Sequence, residues 1–163
     1  MGFGMKCSVA VGILFAGALA LSVGHNAIAA NTASQSPRDL LPGAGVIIDG
    51  PEPVSWRVWP GGKIEYSFNN NRTWETQKSG VTTDLTAGSA PTAKVCWVVG
   101  KAGTILLTID RGRHWKQLAS PTKEDLAGAF AEDGKRASIW TASRKQSFAT
   151  NDGGVTWFPN IDK

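Results

Sequence analysis

The sequence predicts an all-β protein made of three repeated units. Three observations carry that expectation. An eight-residue turn motif occurs three times, the copies recur at about forty residues, and short β-branched or aromatic runs alternate with Gly, Asn, Asp and Pro. The copies are Ser67–Trp74 (SFNNNRTW), Thr108–Trp115 (TIDRGRHW) and Thr150–Trp157 (TNDGGVTW). Each reads hydroxyl, any residue, Asp or Asn, any, Gly or Asn, any, Thr or His, Trp. The closing tryptophans are 41 and 42 residues apart. No segment after residue 45 has a sustained helical period; the nearest, Lys123–Ala131, is short and contains Gly128.

Each position of the motif has a mechanical reason. A tight connection between antiparallel strands leaves backbone N–H groups unpaired. The short side chains of Asn69, Asp110 and Asp152 accept from those a few residues ahead, and the hydroxyls of Ser67, Thr108 and Thr150 add a further bond. The fifth position, Asn71, Gly112 or Gly154, is expected at positive φ, which Gly adopts freely and Asn tolerates. Trp74, Trp115 and Trp157 then bury a large ring that fastens the turn. Eleven residues before the three hydroxyls stand Trp56, Trp97 and Ile139. The loops Pro60-Gly61-Gly62, Lys101-Ala102-Gly103 and Arg144-Lys145 follow them. Asp84-Leu85 and Asp125-Leu126 also recur, 41 residues apart.

The first residues are of a different kind. Lys6 is the only charge before Arg38, an apolar run extends from Val9 to Val23, and Ala27-Ile28-Ala29 supplies small residues where a signal peptidase reads. Residues 1–29 are therefore expected to be a signal peptide cleaved before Ala30. Residues 30–44 form a linker, and residues 45–163 form the folded domain, with repeats at about 45–80, 81–121 and 122–163. The protein is then periplasmic or extracellular. An uncleaved segment would instead anchor it at the inner membrane, although the run is shorter than the ~20 residues that span a bilayer comfortably. Processing removes Cys7 and His25. Cys96 is then the sole cysteine, so no internal disulfide forms, and His114 the sole histidine. A zinc site or a histidine proton relay has little to draw on, and neither metal nor cofactor is expected.

The three segments resemble the Asp-box, or bacterial neuraminidase repeat, Ser/Thr-x-Asp-x-Gly-x-Thr-Trp. The phrases Trp97–Thr104 (WVVGKAGT) and Ala149–Trp157 (ATNDGGVTW) are most similar to the photosystem II assembly/stability factor-like propellers. The resemblance spans roughly residues 46–160 and implies propeller-type blades of four strands. Asn69 and Asn71 in the first copy and His114 in the second depart from the pattern in ways that preserve turn geometry. Closed propellers use about four to eight blades, so three blades imply an open arc or a ring completed by a second copy.

Fold does not fix function. Sialidases and other glycosidases share these repeats, but their arginine cluster, Tyr–Glu nucleophile and acid/base Asp find no match. Tyr66 is the only tyrosine, and Glu65, its neighbour, points to the other face of a strand. Gly100–Thr104 lacks P-loop spacing, and no Gly-x-Ser-x-Gly elbow occurs. Asp110 and Asp152 read as acceptors for backbone N–H, with calcium ligation the less favoured alternative. The expected function is a non-catalytic, exported binding or scaffolding module, like the assembly factors of the resemblance. The alternatives are a carbohydrate-active propeller and a detached extracytoplasmic sensor. Lys63, Lys101, Arg144 and Lys145, with Trp59 beside the first, fall on loops at one side of the repeats and are the candidate partner contacts. The expected partner is an unidentified protein or anionic ligand, with self-association possible and nucleic acid excluded by export. A membrane contact is expected only if the N-terminal segment stays uncleaved.

Overall fold

The computed structural model describes residues 45–160. The expected signal segment, the whole of the expected linker and residues 161–163 lie outside the described residues. Twelve strands form three sheets: β1 (Val46–Asp49), β2 (Ser55–Val58), β3 (Ile64–Ser67) and β4 (Glu75–Gln77); β5 (Leu85–Thr92), β6 (Val95–Gly100), β7 (Ile105–Thr108) and β8 (Lys116–Gln117); β9 (Leu126–Ala131), β10 (Ala137–Thr141), β11 (Ser147–Thr150) and β12 (Phe158–Pro159). Each sheet is an antiparallel meander in which chain neighbours pair. The three sheets are the three repeats.

Side chains alternate between the two faces of a strand, and that alternation stacks the sheets. In the first sheet Trp56, Val58, Ile64 and Tyr66 share a face and pack with Cys96, Val98 and Leu106 of the second. The reverse face of the second sheet carries Trp97, Val99, Ile105 and Leu107, which pack with Ala131, Ala137 and Ile139 of the third. The middle strands β6 and β7 are thus buried on both faces and read VCWVVG and ILLT, nearly continuous apolar runs. Burial pushes the Cys96 thiol well above its usual pKa, which leaves it an inert core residue.

The third sheet corrects the sequence alignment. Ile139 pairs with Phe148 and Trp140 with Ser147. Six residues therefore separate the last pair of this hairpin, against five between Val58 and Ile64 and between Val99 and Ile105. The additional residue accounts for the longer tryptophan interval. It makes Ile139 the counterpart of Arg57 and Val98, not of Trp56 and Trp97. Ile139 faces the second sheet, fully buried, and Ser138 stands at the indole position.

The repeated turn joins the third and fourth strands of each sheet. The hydroxyl at its head accepts from the fifth residue's amide: Asn71 N to Ser67 Oγ, 3.1 Å; Gly112 N to Thr108 Oγ1, 2.8 Å; Gly154 N to Thr150 Oγ1, 3.0 Å. The third residue accepts from the seventh: Thr73 N to Asn69, 2.9 Å; His114 N to Asp110, 3.0 Å; Thr156 N to Asp152, 3.0 Å. Left-handed backbone occurs at two successive positions, at Asn70 and Asn71, at Arg111 and Gly112, and at Gly153 and Gly154. The fourth residue's amide donates to the preceding loop of its own sheet, at Pro53, Lys94 and Lys135.

The closing indoles reach across to the preceding sheet. Trp115 Nε1 donates to Gln77 Oε1 at 3.1 Å and Trp157 Nε1 to the Ala119 carbonyl at 3.0 Å. Trp74 has no preceding sheet among the described residues, and its ring lies 4.3 Å from the Arg57 guanidinium.

The two end faces of the stack differ. On the first sheet Glu65 is bound by Arg57 at 2.6 Å, Lys63 at 2.8 Å and Trp59 Nε1 at 2.8 Å, and Arg57 also lies over Trp59. On the third sheet Phe130, Trp140, Ala149 and Phe158 share the outward face by register. One end is polar and internally satisfied; the other is aromatic.

Candidate functional site

The loops between the second and third strands of the sheets lie on one side of the stack, and the five residues singled out from the sequence are found there. The recurring Asp-Leu pairs build this side. Asp84 accepts from Gly61 N at 2.9 Å through its side chain and from Lys101 N at 2.9 Å through its carbonyl. Asp125 repeats the arrangement, accepting from Ala102 N at 2.9 Å and, at its carbonyl, from Ala142 N at 2.8 Å. Each aspartate therefore ties the loop of the preceding sheet to the loop of its own. Gly61 and Ala102 take the required left-handed conformation, which costs the alanine some strain.

Three of the five residues are engaged within the fold. Lys63 and Trp59 belong to the Glu65 cluster. Burial raises the Glu65 pKa, but hydrogen bonds from Lys63, Trp59 and Arg57 outweigh it and hold the carboxyl below its ordinary value. Lys101 pairs with Asp84 at 2.8 Å; its hydrogen bond lowers the pKa of Asp84, which in turn raises that of Lys101. Arg144 and Lys145 have no carboxylate within ion-pair distance among the described residues. They border a concavity of ≈ 460 Å³ with Gln146, Ser147, Phe148, Pro159 and Asn160. This arrangement joins two cations to an apolar wall and a strip of amide groups. It is equipped to hold a carboxylate-bearing chain and contains no nucleophile–base pair.

The opposite side carries a second set of cations. Arg111 and Arg113 stand between two shallow concavities of ≈ 350 and ≈ 500 Å³, with Lys94 and Ile109 on one flank and Phe68 on the other. Apart from Lys94, which lies in the loop between β5 and β6, these residues occupy the unrestricted positions of the turn motif, which the motif pattern leaves unmarked. The signal was present as a cation or an apolar residue at matching motif positions in two or three copies.

The remaining candidates have the following surroundings. Tyr66 is buried with its ring 5.1 Å from that of Trp56, on the face opposite Glu65. The exposed His114 ring meets Asp110 Oδ2 at 2.6 Å. Although desolvation raises the Asp110 pKa, the His114 amide and ring and the Thr108 hydroxyl bring it down to about 2. Asp152, bonded by the Thr156 side chain and amide, likewise sits at about 2. Among the described residues no three His, Cys, Asp or Glu side chains are grouped to hold a metal ion.

Three stacked meanders of four strands define this chain as a β-propeller-type protein. Solved structures similar to it in fold include two of YCF48 and one of a GH74 enzyme. YCF48 bound to D1 peptide superposes with a TM-score of 0.61 at 20% identity over 76% of this chain and 42% of that one. YCF48 from Cyanidioschyzon merolae gives 0.62 at 22% identity, over 76% and 39%. The GH74 enzyme of Niastella koreensis gives 0.52 at 14%, over 66% and 16%. The chain thus spans about two fifths of the YCF48 chains, and at these identities the likeness is one of fold. No family model and no curated protein matches the sequence.

Proposed function

We propose that the chain is an exported, non-catalytic binding module, like the photosystem II assembly factors in its manner of action. It captures an acidic segment of a partner protein on the loop side of its stacked repeats. The observation that carries this reading is the pair Arg144 and Lys145, with no carboxylate in ion-pair distance among the described residues, beside a concavity walled by Phe148 and Pro159. Cations at such a rim raise the encounter rate of an acidic chain, and an apolar wall supplies a place for one side chain of it. The D1 peptide bound by a structural neighbour supports peptide capture as a use of this fold. The turn motif and its three sheets fit the Asp-box pattern, in which the polar residues serve the fold and not a reaction. A carbohydrate-active role has less support, because Tyr66 is packed in the core and Glu65 is engaged by three donors.

The test is titration of a fluorescent acidic peptide with a terminal carboxylate and one large apolar residue. Arg144→Glu combined with Lys145→Glu should weaken binding by roughly tenfold or more, with the unfolding midpoint unchanged. Equal affinity for the two proteins would exclude the loop side as the capture site. Export is checked separately, by mass spectrometry of the protein recovered from its producing cell: the mature chain should begin at Ala30.

A further inference from the structure

We propose that the side of the protein bearing the repeated turns is a surface that rests on an anionic lipid bilayer. This departs from the expectation that only an uncleaved N-terminal segment would meet a membrane, and it is independent of the peptide-capture reading, which uses the opposite side.

Three large apolar side chains project from the turns largely into solvent: Phe68, 50% exposed, Ile109, 64%, and Val155, 70%. Turns are the last place where burial would leave such residues by accident, since polar side chains serve equally well there. Between them stand Arg72, Lys94, Arg111, Arg113 and Lys135, all exposed and none paired with a carboxylate among the described residues. Of the acids on the same side, Asp49, Glu52 and Glu75 are exposed, Glu132 pairs with Arg136 at 3.2 Å, and three are turned inward. Asp110 and Asp152 accept the amides of their own turns, and Asp133 is held by Arg136 and the amides of Lys135 and Arg136. The exposed cations without a carboxylate partner on this side, five among the described residues, therefore outnumber its exposed unpaired acids, Asp49, Glu52 and Glu75.

The repeat determines the shape of the patch. Phe68 and Ile109 occupy the second position of their turns; Arg72, Arg113 and Val155 occupy the sixth; Lys94 and Lys135 both accept the amide of the fourth residue. Matching positions in stacked, equivalent blades stand at one height, so each class of residue forms a layer of tips. Tips at equal height suit a flat partner. A captured peptide calls instead for a trough, and the two concavities here are separated by the Arg111–Arg113 ridge. Apolar tips that enter the headgroup region, ringed by cations that meet lipid phosphates, are the arrangement by which peripheral proteins gain both apolar burial and electrostatic attraction. With this side down, the Arg144–Lys145 side faces away from the lipid and stays open to a partner.

The experiment is co-sedimentation of the full chain with vesicles of phosphatidylcholine alone and of equimolar phosphatidylglycerol and phosphatidylcholine. The apolar N-terminal run is common to every variant and cancels in the ratio of the two bindings. The ratio should clearly exceed one for the unaltered chain and fall with added salt. Arg111→Gln with Arg113→Gln should lower it on the order of tenfold. Phe68→Ser with Ile109→Ser should lower binding to the anionic vesicles without removing its salt dependence. Arg144→Glu with Lys145→Glu, on the other side, should leave the ratio as it was, which separates a local surface from net charge. A ratio of one, or a ratio insensitive to Arg111 and Arg113, overturns the proposal. So does binding of an acidic, Phe-containing peptide that depends on Arg111 and Arg113 while vesicle binding does not; the surface then belongs to a peptide.

Discussion

At the scale of single residues, stability concentrates in the polar core of each turn. The fourth and fifth residues both adopt left-handed backbone, and at the second turn the latter is Gly112, at φ 78°. A Cβ there would run into the Gln77 side chain, which also accepts the Trp115 indole. Gly112→Ala therefore strains the backbone and displaces a contact between sheets. It should cost about 1–3 kcal/mol in denaturant unfolding; a neutral result would contradict the turn geometry. The aspartates add a pH dependence. Asp110 and Asp152 fall from 3.8 to about 2 in the folded chain, so the unfolded chain binds protons first. Their contribution is fully present above pH ~4 and is lost as the pH falls from there toward ~2. Asp110→Asn with Asp152→Asn should flatten this acid limb of a stability–pH curve. An unchanged limb would show that other carboxylates govern it.

At the scale of elements, the closing tryptophans and the third hairpin are informative. The sequence suggests that each indole fastens its own turn, whereas Trp115 and Trp157 bond to the sheet before them. The rings are half-buried and packed against the clusters between sheets, so truncation should cost less than at a fully enclosed site. Trp115→Ala is expected to lose about 2–3 kcal/mol, and a loss below ~1 kcal/mol would argue against the packing. The additional residue between Trp140 and Ser147 makes a sharper prediction. Ile139→Ala should cost about 2–4 kcal/mol because its side chain is enclosed between the second and third sheets. Ser138→Ala, one residue earlier and on the outward face, should be close to neutral. Reversed results would restore the ungapped alignment. Gap-free counting missed the shift because a one-residue slip flips every side chain of a strand, and only the pairing of the strands reveals where the slip occurs.

At the scale of the whole molecule, the two end faces give the stack a direction. Arg57, Glu65 and Lys63 satisfy one another beneath Trp59 and Trp74, so a second copy stacked on this face would have to desolvate a settled ionic cluster. Terminal repeats with a polar outer face are how stacked-repeat proteins end. A ring closed by two copies would bury this face, and we expect light scattering on the chain after removal of residues 1–29 to give the mass of a single copy. A two-copy mass abolished by Phe130→Asp would show instead that the aromatic face is the interface between copies. Of the candidate contacts, the sequence indicates which side of the fold they share, because the repeat fixes the side on which each loop emerges. It does not reveal that Lys101 is spoken for, because its carboxylate, Asp84, comes from the link between sheets, whereas the Glu65 that engages Lys63 stands only two residues along the chain. Nor does it single out the cations at the unrestricted motif positions, which become a surface only when the repeats stand side by side.

Three antiparallel repeat units are legible in the sequence, because turn chemistry and a period near forty residues are local properties that every copy states again. The tertiary structure alone decided the register of the third hairpin, the partners of the closing indoles, and which cations face solvent unpaired. Those depend on which strand, sheet or loop comes to lie alongside another. A linear pattern carries the spacing of residues along the chain but not the distances between its folded layers.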